Sequence, residues 1–314
     1  MKVTRTARYG IFALAISCAL TAWGADSAKS SLPDPGASTL LYVGFLTAQQ
    51  VNIYQIGHDN GPIDLLVDGL TQITGGIAVD QQRNVYVTDG SGGVVAYPPG
   101  GLVPGLRYQF LDQRQPPLTS GITVDPAGTL YATLFGDGGI VAEYTKGHTH
   151  KASFVLAPPP PYAAIAVAVD AQNNLYVEYS NAIPFPQPAY IEKCAPQSNQ
   201  CTNLGITLGA GGFGLAVDSQ GNLIACDDLA AQIDVFPPNG GSPRVISQGL
   251  NGCAYFALDK SEKYLAVSNE AYVGGPTSIS IFNYATGALV QNITAGVPQN
   301  DLIFGVAFSP AALP

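Results

Sequence analysis

Histidine is scarce in this chain: His58, His148 and His150 are its three copies, and no Cys–His pair, GxSxG elbow or glycine-rich nucleotide motif accompanies them. This excludes the nucleophile and nucleotide-binding classes that those motifs define. Charge is also sparse, at 11% of residues, and basic charge most of all. Of thirteen Lys and Arg, three (Lys2, Arg5, Arg8) lie in the first 24 residues, where no acid occurs, so ten remain against 22 Asp and Glu, a balance of −12. Nucleic acid is thereby excluded as a partner, because binding it requires basic side chains to neutralise phosphates. Beyond residue 24 no unbroken apolar run reaches the length of a membrane span.

What is present begins with a targeting segment. Lys2, Arg5 and Arg8 precede the uncharged run "IFALAISCALTAWG", which ends in small residues and is followed by polar "ADSAKSSLPDPGAS". The run is short for a span, so residues 1–24 read as a signal peptide cleaved near Gly24 or Ala25, with 25–39 a flexible linker and the mature protein secreted or periplasmic. The alternative is a lipoprotein, with Cys18 as the lipidated residue. Removal of the leader leaves Cys194, Cys201, Cys226 and Cys253, an even count that in an oxidising compartment predicts two disulfides.

The remaining composition is that of an all-β protein, with 36 Gly and 24 Pro punctuating β-branched and aromatic runs. One pattern recurs: an apolar run, an Asp, a polar turn and a second apolar run. It reads "GIAVDQQRNVYVTD", "GITVDPAGTLYATL", "VAVDAQNNLYVEY", "GLAVDSQGNLIACD" and "FALDKSEKYLAVS", with its aspartates at Asp80, Asp125, Asp170, Asp218 and Asp259, spaced by 45, 45, 48 and 41 residues. Each pair is followed by a third run and a weaker fourth, and such a period suits the four-stranded blade of a β-propeller. "FGVAFSP" at 304–310 looks like a first strand without a second, whereas "LLYVGF" (40–45), "VNIYQIG" (51–57) and "PIDLLV" (62–67) look like second, third and fourth strands without a first. Joining the two chain ends predicts a six-bladed β-propeller over 40–310, closed by the C-terminal strand and followed by a tail at 311–314.

"GLAVDSQGNLIACDDLAAQIDVFPPNGG" resembles an NHL repeat, and the chain as a whole is similar to NHL-type and gluconolactonase-like propellers. That resemblance concerns blade construction. Its gluconolactonase branch implies a metal-dependent lactone hydrolase whose ion is held by a first-blade Glu with Asn and Asp residues from other blades. Here the closing blade reads "LIFGVAFSP", without the Glu-Gly-Pro opening of that family, so the first ligand has no counterpart.

The recurring Asp is expected to accept backbone N–H groups in its own turn, and Tyr86, Tyr131 and Tyr176 to pack between blades. Chemistry is expected on the loops that follow second strands and on the connections into first strands. There Asp89, Asp227, Asn269 and Glu270 form the preferred set for Ca²⁺, a hard cation that takes several oxygens. Glu178 stands inside "NLYVEYS", at a position read as Thr88, Thr133, Cys226 and Val267 in other repeats, where a carboxylate needs a partner or a role. Glu178 or Asp227 would then handle protons beside a carbonyl-polarising ion.

Cys194 and Cys201 flank a short third-to-fourth-strand turn, and Cys226 and Cys253 end a second strand and begin the next first strand. Two disulfides follow from that placement; metal ligation by the four is the alternative. Two functions are therefore expected: a non-catalytic, monomeric propeller binding a small molecule, glycan or protein at its loop face, or a Ca²⁺-dependent lactone hydrolase.

Overall fold

The structure is a computed structural model that describes residues 39–57, 61–73, 75–90, 93–109, 119–134, 139–150, 152–157, 162–181, 187–269, 276–299 and 301–310. The expected leader and tail, Glu270 and His58 lie outside these residues.

Among the described residues, twenty-four strands form six four-stranded antiparallel sheets. The chain opens with β1 (Leu40–Phe45), β2 (Gln50–Gln55) and β3 (Asp64–Leu66). The first complete blade is β4 (Ile77–Val79), β5 (Val85–Asp89), β6 (Gly93–Tyr97) and β7 (Leu106–Gln109). The second is β8 (Thr119–Val124), β9 (Leu130–Leu134), β10 (Ile140–Tyr144) and β11 (Phe154–Leu156). The third, β12 (Tyr162–Val169), β13 (Leu175–Asn181), β14 (Ala189–Cys194) and β15 (Cys201–Leu208), has the longest strands. The fourth is β16 (Gly211–Val217), β17 (Leu223–Asp227), β18 (Gln232–Phe236) and β19 (Arg244–Ile246). The fifth is β20 (Phe256–Leu258), β21 (Tyr264–Asn269), β22 (Ser278–Asn283) and β23 (Leu289–Ile293). The sixth blade joins the chain ends: β24 (Ile303–Ser309) pairs antiparallel with β1, Leu40 opposite Ser309 and Tyr42 opposite Ala307. The expected six-bladed β-propeller and its closure are thus present.

The turn chemistry explains why the repeat breaks where it does. Asp80, Asp125, Asp170, Asp218 and Asp259 are buried, and each carboxylate accepts the backbone N–H four residues on, at 2.7–2.9 Å. The residue three after each Asp, namely Arg83, Gly128, Asn173, Gly221 or Glu262, has a positive φ and donates its N–H to the Asp carbonyl. The Asp side chain therefore holds a left-handed backbone that glycine supplies in only two of the five copies. The tyrosines expected between blades also serve these turns: Tyr86 and Tyr176 donate their hydroxyls to Asp80 and Asp170.

Each hydrophobic cluster belongs to two blades. Leu40, Ile53 and Leu66 of the sixth blade pack with Val79, Val87 and Val95 of the first, and every other neighbouring pair shares a comparable cluster. Full burial of each such side chain contributes about 1.5–3 kcal/mol. A single blade would expose both faces, so the ring is the unit that stabilises itself.

Candidate functional site

The alternating strand directions place the loops after second strands, and the segments that lead into first strands, on one face of the propeller. The Asp turns and the third-to-fourth-strand turns lie on the other. We refer to these as the loop face and the turn face.

On the loop face, Asp89, Asp227 and Asn269 occupy one structural position, the last residue of β5, β17 and β21. Each side-chain oxygen accepts the backbone N–H of the residue eighteen positions earlier, in the segment leading into its own blade: Thr71 to Asp89 at 2.6 Å, Gly209 to Asp227 at 2.8 Å, Asn251 to Asn269 at 2.7 Å. Asp89 also accepts from the Thr71 hydroxyl, the Gln72 N–H and the Arg107 guanidinium, and Asp227 from the N–H groups of Ala210 and Ala230. The closing blade makes the same clamp with its polarity along the chain reversed, because Asp301 before β24 accepts from Thr47 and Ala48 after β1. These side chains fasten the lead-in segments of four blades. Among the described residues no three His, Cys, Asp or Glu side chains are grouped to hold a metal; Glu270, the fourth member of the expected set, lies outside those residues. Asp89→Ala, which leaves the Thr71 and Gln72 N–H groups without their acceptor, is expected to cost about 1–3 kcal/mol in urea unfolding. An unchanged midpoint would show that the clamp carries no weight.

Glu178 lies on β13, fully buried, and neither carboxyl oxygen has a hydrogen-bond partner. Its carboxyl sits against Gly211 of the next blade, where a Cβ would collide with Glu178 Oε1 and Ala189 Cβ; the glycine makes the room. Burial, and secondarily the charge of Asp227, push the Glu178 carboxyl well above the ordinary carboxylate range. The structure corrects one equivalence. The turn after Asp259 is one residue longer, since Asp259 N–H bonds to Tyr264 O five residues on, whereas Asp80 bonds to Asn84 O four residues on. The fifth-blade counterpart of Glu178 is therefore Ser268, not Val267, which pairs with Phe256 as Val87 pairs with Ile77.

Both expected disulfides form. Cys194–Cys201 closes the β14–β15 hairpin, and Cys226–Cys253 joins the end region of β17 to the segment leading into β20. His148 and His150 are exposed in the turn region after β10.

The central channel is lined, where described, mostly by apolar residues, at 77–79, 122–124 (with Thr123), 216–217, 256–258 and 306–308, around a cavity of about 120 Å³. At its loop-face end stand aromatic side chains that the repeat motif does not include. Tyr255 stacks on Phe213 (5.6 Å, 22°), meets Phe304 edge-on (6.0 Å) and donates its hydroxyl to Ser120 O at 3.0 Å, reaching from the fifth blade to the second. A signal existed: "GGFGLAVD", "CAYFALD" and "LIFGVAF" each carry an aromatic four or five residues before the position of the repeating Asp, where the first and second blades have Gly or Ser.

No protein-family model and no curated protein matches the chain. Among solved structures it is similar to a protein from Bacteroides caccae, described as of unknown function, with a TM-score of 0.63 and 10% identity over 87% of this chain and 99% of that one. At that identity the likeness concerns the fold. The class defined by fold and likeness together is the six-bladed β-propeller.

Proposed function

We propose that the chain is a secreted or periplasmic, non-catalytic propeller of NHL type that binds a small molecule, glycan or protein through its loop face. One observation carries this reading: among the described residues of that face, Asp89, Asp227 and Asn269 are engaged in clamping their own blades, and Tyr255 ties the fifth blade to the second across the channel mouth, which gives a stiff platform for a partner. Leu229, 68% exposed in the loop after β17, supplies an apolar contact on that platform. Two disulfides fit an oxidising compartment, and among the described residues no helix is long and apolar enough to cross a membrane.

The second reading, a Ca²⁺-dependent lactone hydrolase in which Glu178 or Asp227 handles protons, draws on the unpartnered, raised carboxyl of Glu178. Calcium titration followed by thermal unfolding, with a lactone panel alongside, separates the two. The binding reading expects a midpoint shift under about 1 °C and no turnover. A calcium-dependent rise of about 4 °C or more, with turnover, favours the hydrolase. On glycan and extracellular-protein arrays the binding reading expects a partner that is lost with Leu229→Asp; no bound partner at all overturns it.

A further inference from the structure

The third blade departs from the other five at its outer edge. β15 has eight residues, whereas the outer strands β3, β7, β11, β19 and β23 have three to five. It begins earlier than its apolar run foretells, because the disulfide makes Cys194 and Cys201 a cross-strand pair. Its ladder with β14 slips between Tyr190 and Glu192, and Gly205, at a φ of +70°, lets the segment around it bow outward. Across from this bow stand Phe236, at the end of β18, and the turn containing Pro237 and Pro238. Between them lies a crevice of about 570 Å³ that adjoins a second hollow of about 390 Å³ on the turn face. The first falls within the range of small-molecule sites, ~300–1,000 Å³.

The charged group shared by the two hollows is the Lys193 ammonium. It donates to Tyr176 Oη at 2.7 Å and to Asp170 at 3.2 Å, and it lies over the Tyr176 ring at 4.8 Å. An ammonium has three donors, so one remains for a ligand. Asp170 balances its charge, and Asp218, the other ionisable residue of the walls, is bonded to Asn222 and Tyr284. The walls therefore carry no net positive charge to attract an anion. They offer the half-buried Phe236 ring and proline faces, together with the peptide groups at Gly205 and Gly240, where a Cβ would meet nothing within 4 Å. Flat apolar faces beside scattered donors and acceptors match a pyranose, which has apolar C–H faces and a rim of hydroxyls. A strand-adding peptide fits less well, since the bulge at Gly205 breaks the edge that it would have to follow.

We propose that this crevice between the third and fourth blades binds a neutral saccharide. The site lies on the turn face and stands independently of any partner at the loop face.

Ligand-observed saturation-transfer NMR on the full mature protein, with maltose, cellobiose and N,N′-diacetylchitobiose as probes, tests it. At least one disaccharide is expected to bind with a Kd on the order of 1 mM. Phe236→Ala and Lys193→Met, each verified as folded by urea unfolding, are expected to weaken it at least about tenfold. High salt is expected to leave it unchanged. Co-sedimentation with starch, cellulose and chitin then separates a free sugar from a polymer-borne one. No transfer from any of the three probes, or transfer that survives both substitutions, overturns the proposal.

Discussion

Glu178→Gln is expected to remove a large part of the fall in stability that the wild-type protein shows as pH rises. The carboxyl is buried without a partner, and burial, then the charge of Asp227, raise its pKa well above the ordinary value. Folded protein thus keeps a proton that the unfolded chain releases above about pH 4.3. The stability tied to this group is complete below that pH. It declines by up to about 1.4 kcal/mol per pH unit until the folded-state pKa is passed. Asp228 and Asp234, whose carboxyls are also raised chiefly by burial, contribute slopes of the same sign, so the informative quantity is the difference between wild type and variant. Urea unfolding at intervals from about pH 5 to about pH 8 should give a difference that grows with pH. Parallel curves would show that Glu178 ionises freely in the folded protein.

The disulfide between blades should matter more than the one within a blade. Cys226 and Cys253 are separated by 27 residues, Cys194 and Cys201 by 7. Loop-closure entropy assigns about 3.5 kcal/mol to the longer loop and about 2.4 kcal/mol to the shorter. The longer bridge also stands where β17 faces the segment leading into the fifth blade, next to Gly212, so its loss loosens the contact between two blades. Replacing each pair by alanine and measuring urea unfolding should reproduce that order. A larger loss from the Cys194/Cys201 pair would mean that the β14–β15 hairpin, rather than the junction between blades, limits stability.

The Asp turns and the closure of the ring were legible because each is local or repeated: five copies of one turn, and two half-blades that complete each other. The slip from Val267 to Ser268 arose from a single added residue in the turn after Asp259, which leaves the apolar pattern readable in either frame. The clamps were legible as polar loop residues but not as clamps. Asp89 and Thr71, like Asp227 and Gly209, are brought together only when a first strand lies beside a second. Tyr255 and Ser120, 135 residues apart, meet only once the circle is closed.

The amino-acid sequence by itself determined the number of blades, the turn that ends each first strand and the pairing of the cysteines, because these follow from short-range patterning and its period. The tertiary structure alone decided that Asp89, Asp227 and Asp301 are fastened to backbone, that Glu178 is sealed in without a hydrogen-bond partner, and that Tyr255 spans the channel mouth. Whether a polar side chain faces a ligand, a peptide group or nothing depends on which blade comes to lie against it. No local pattern carries that information.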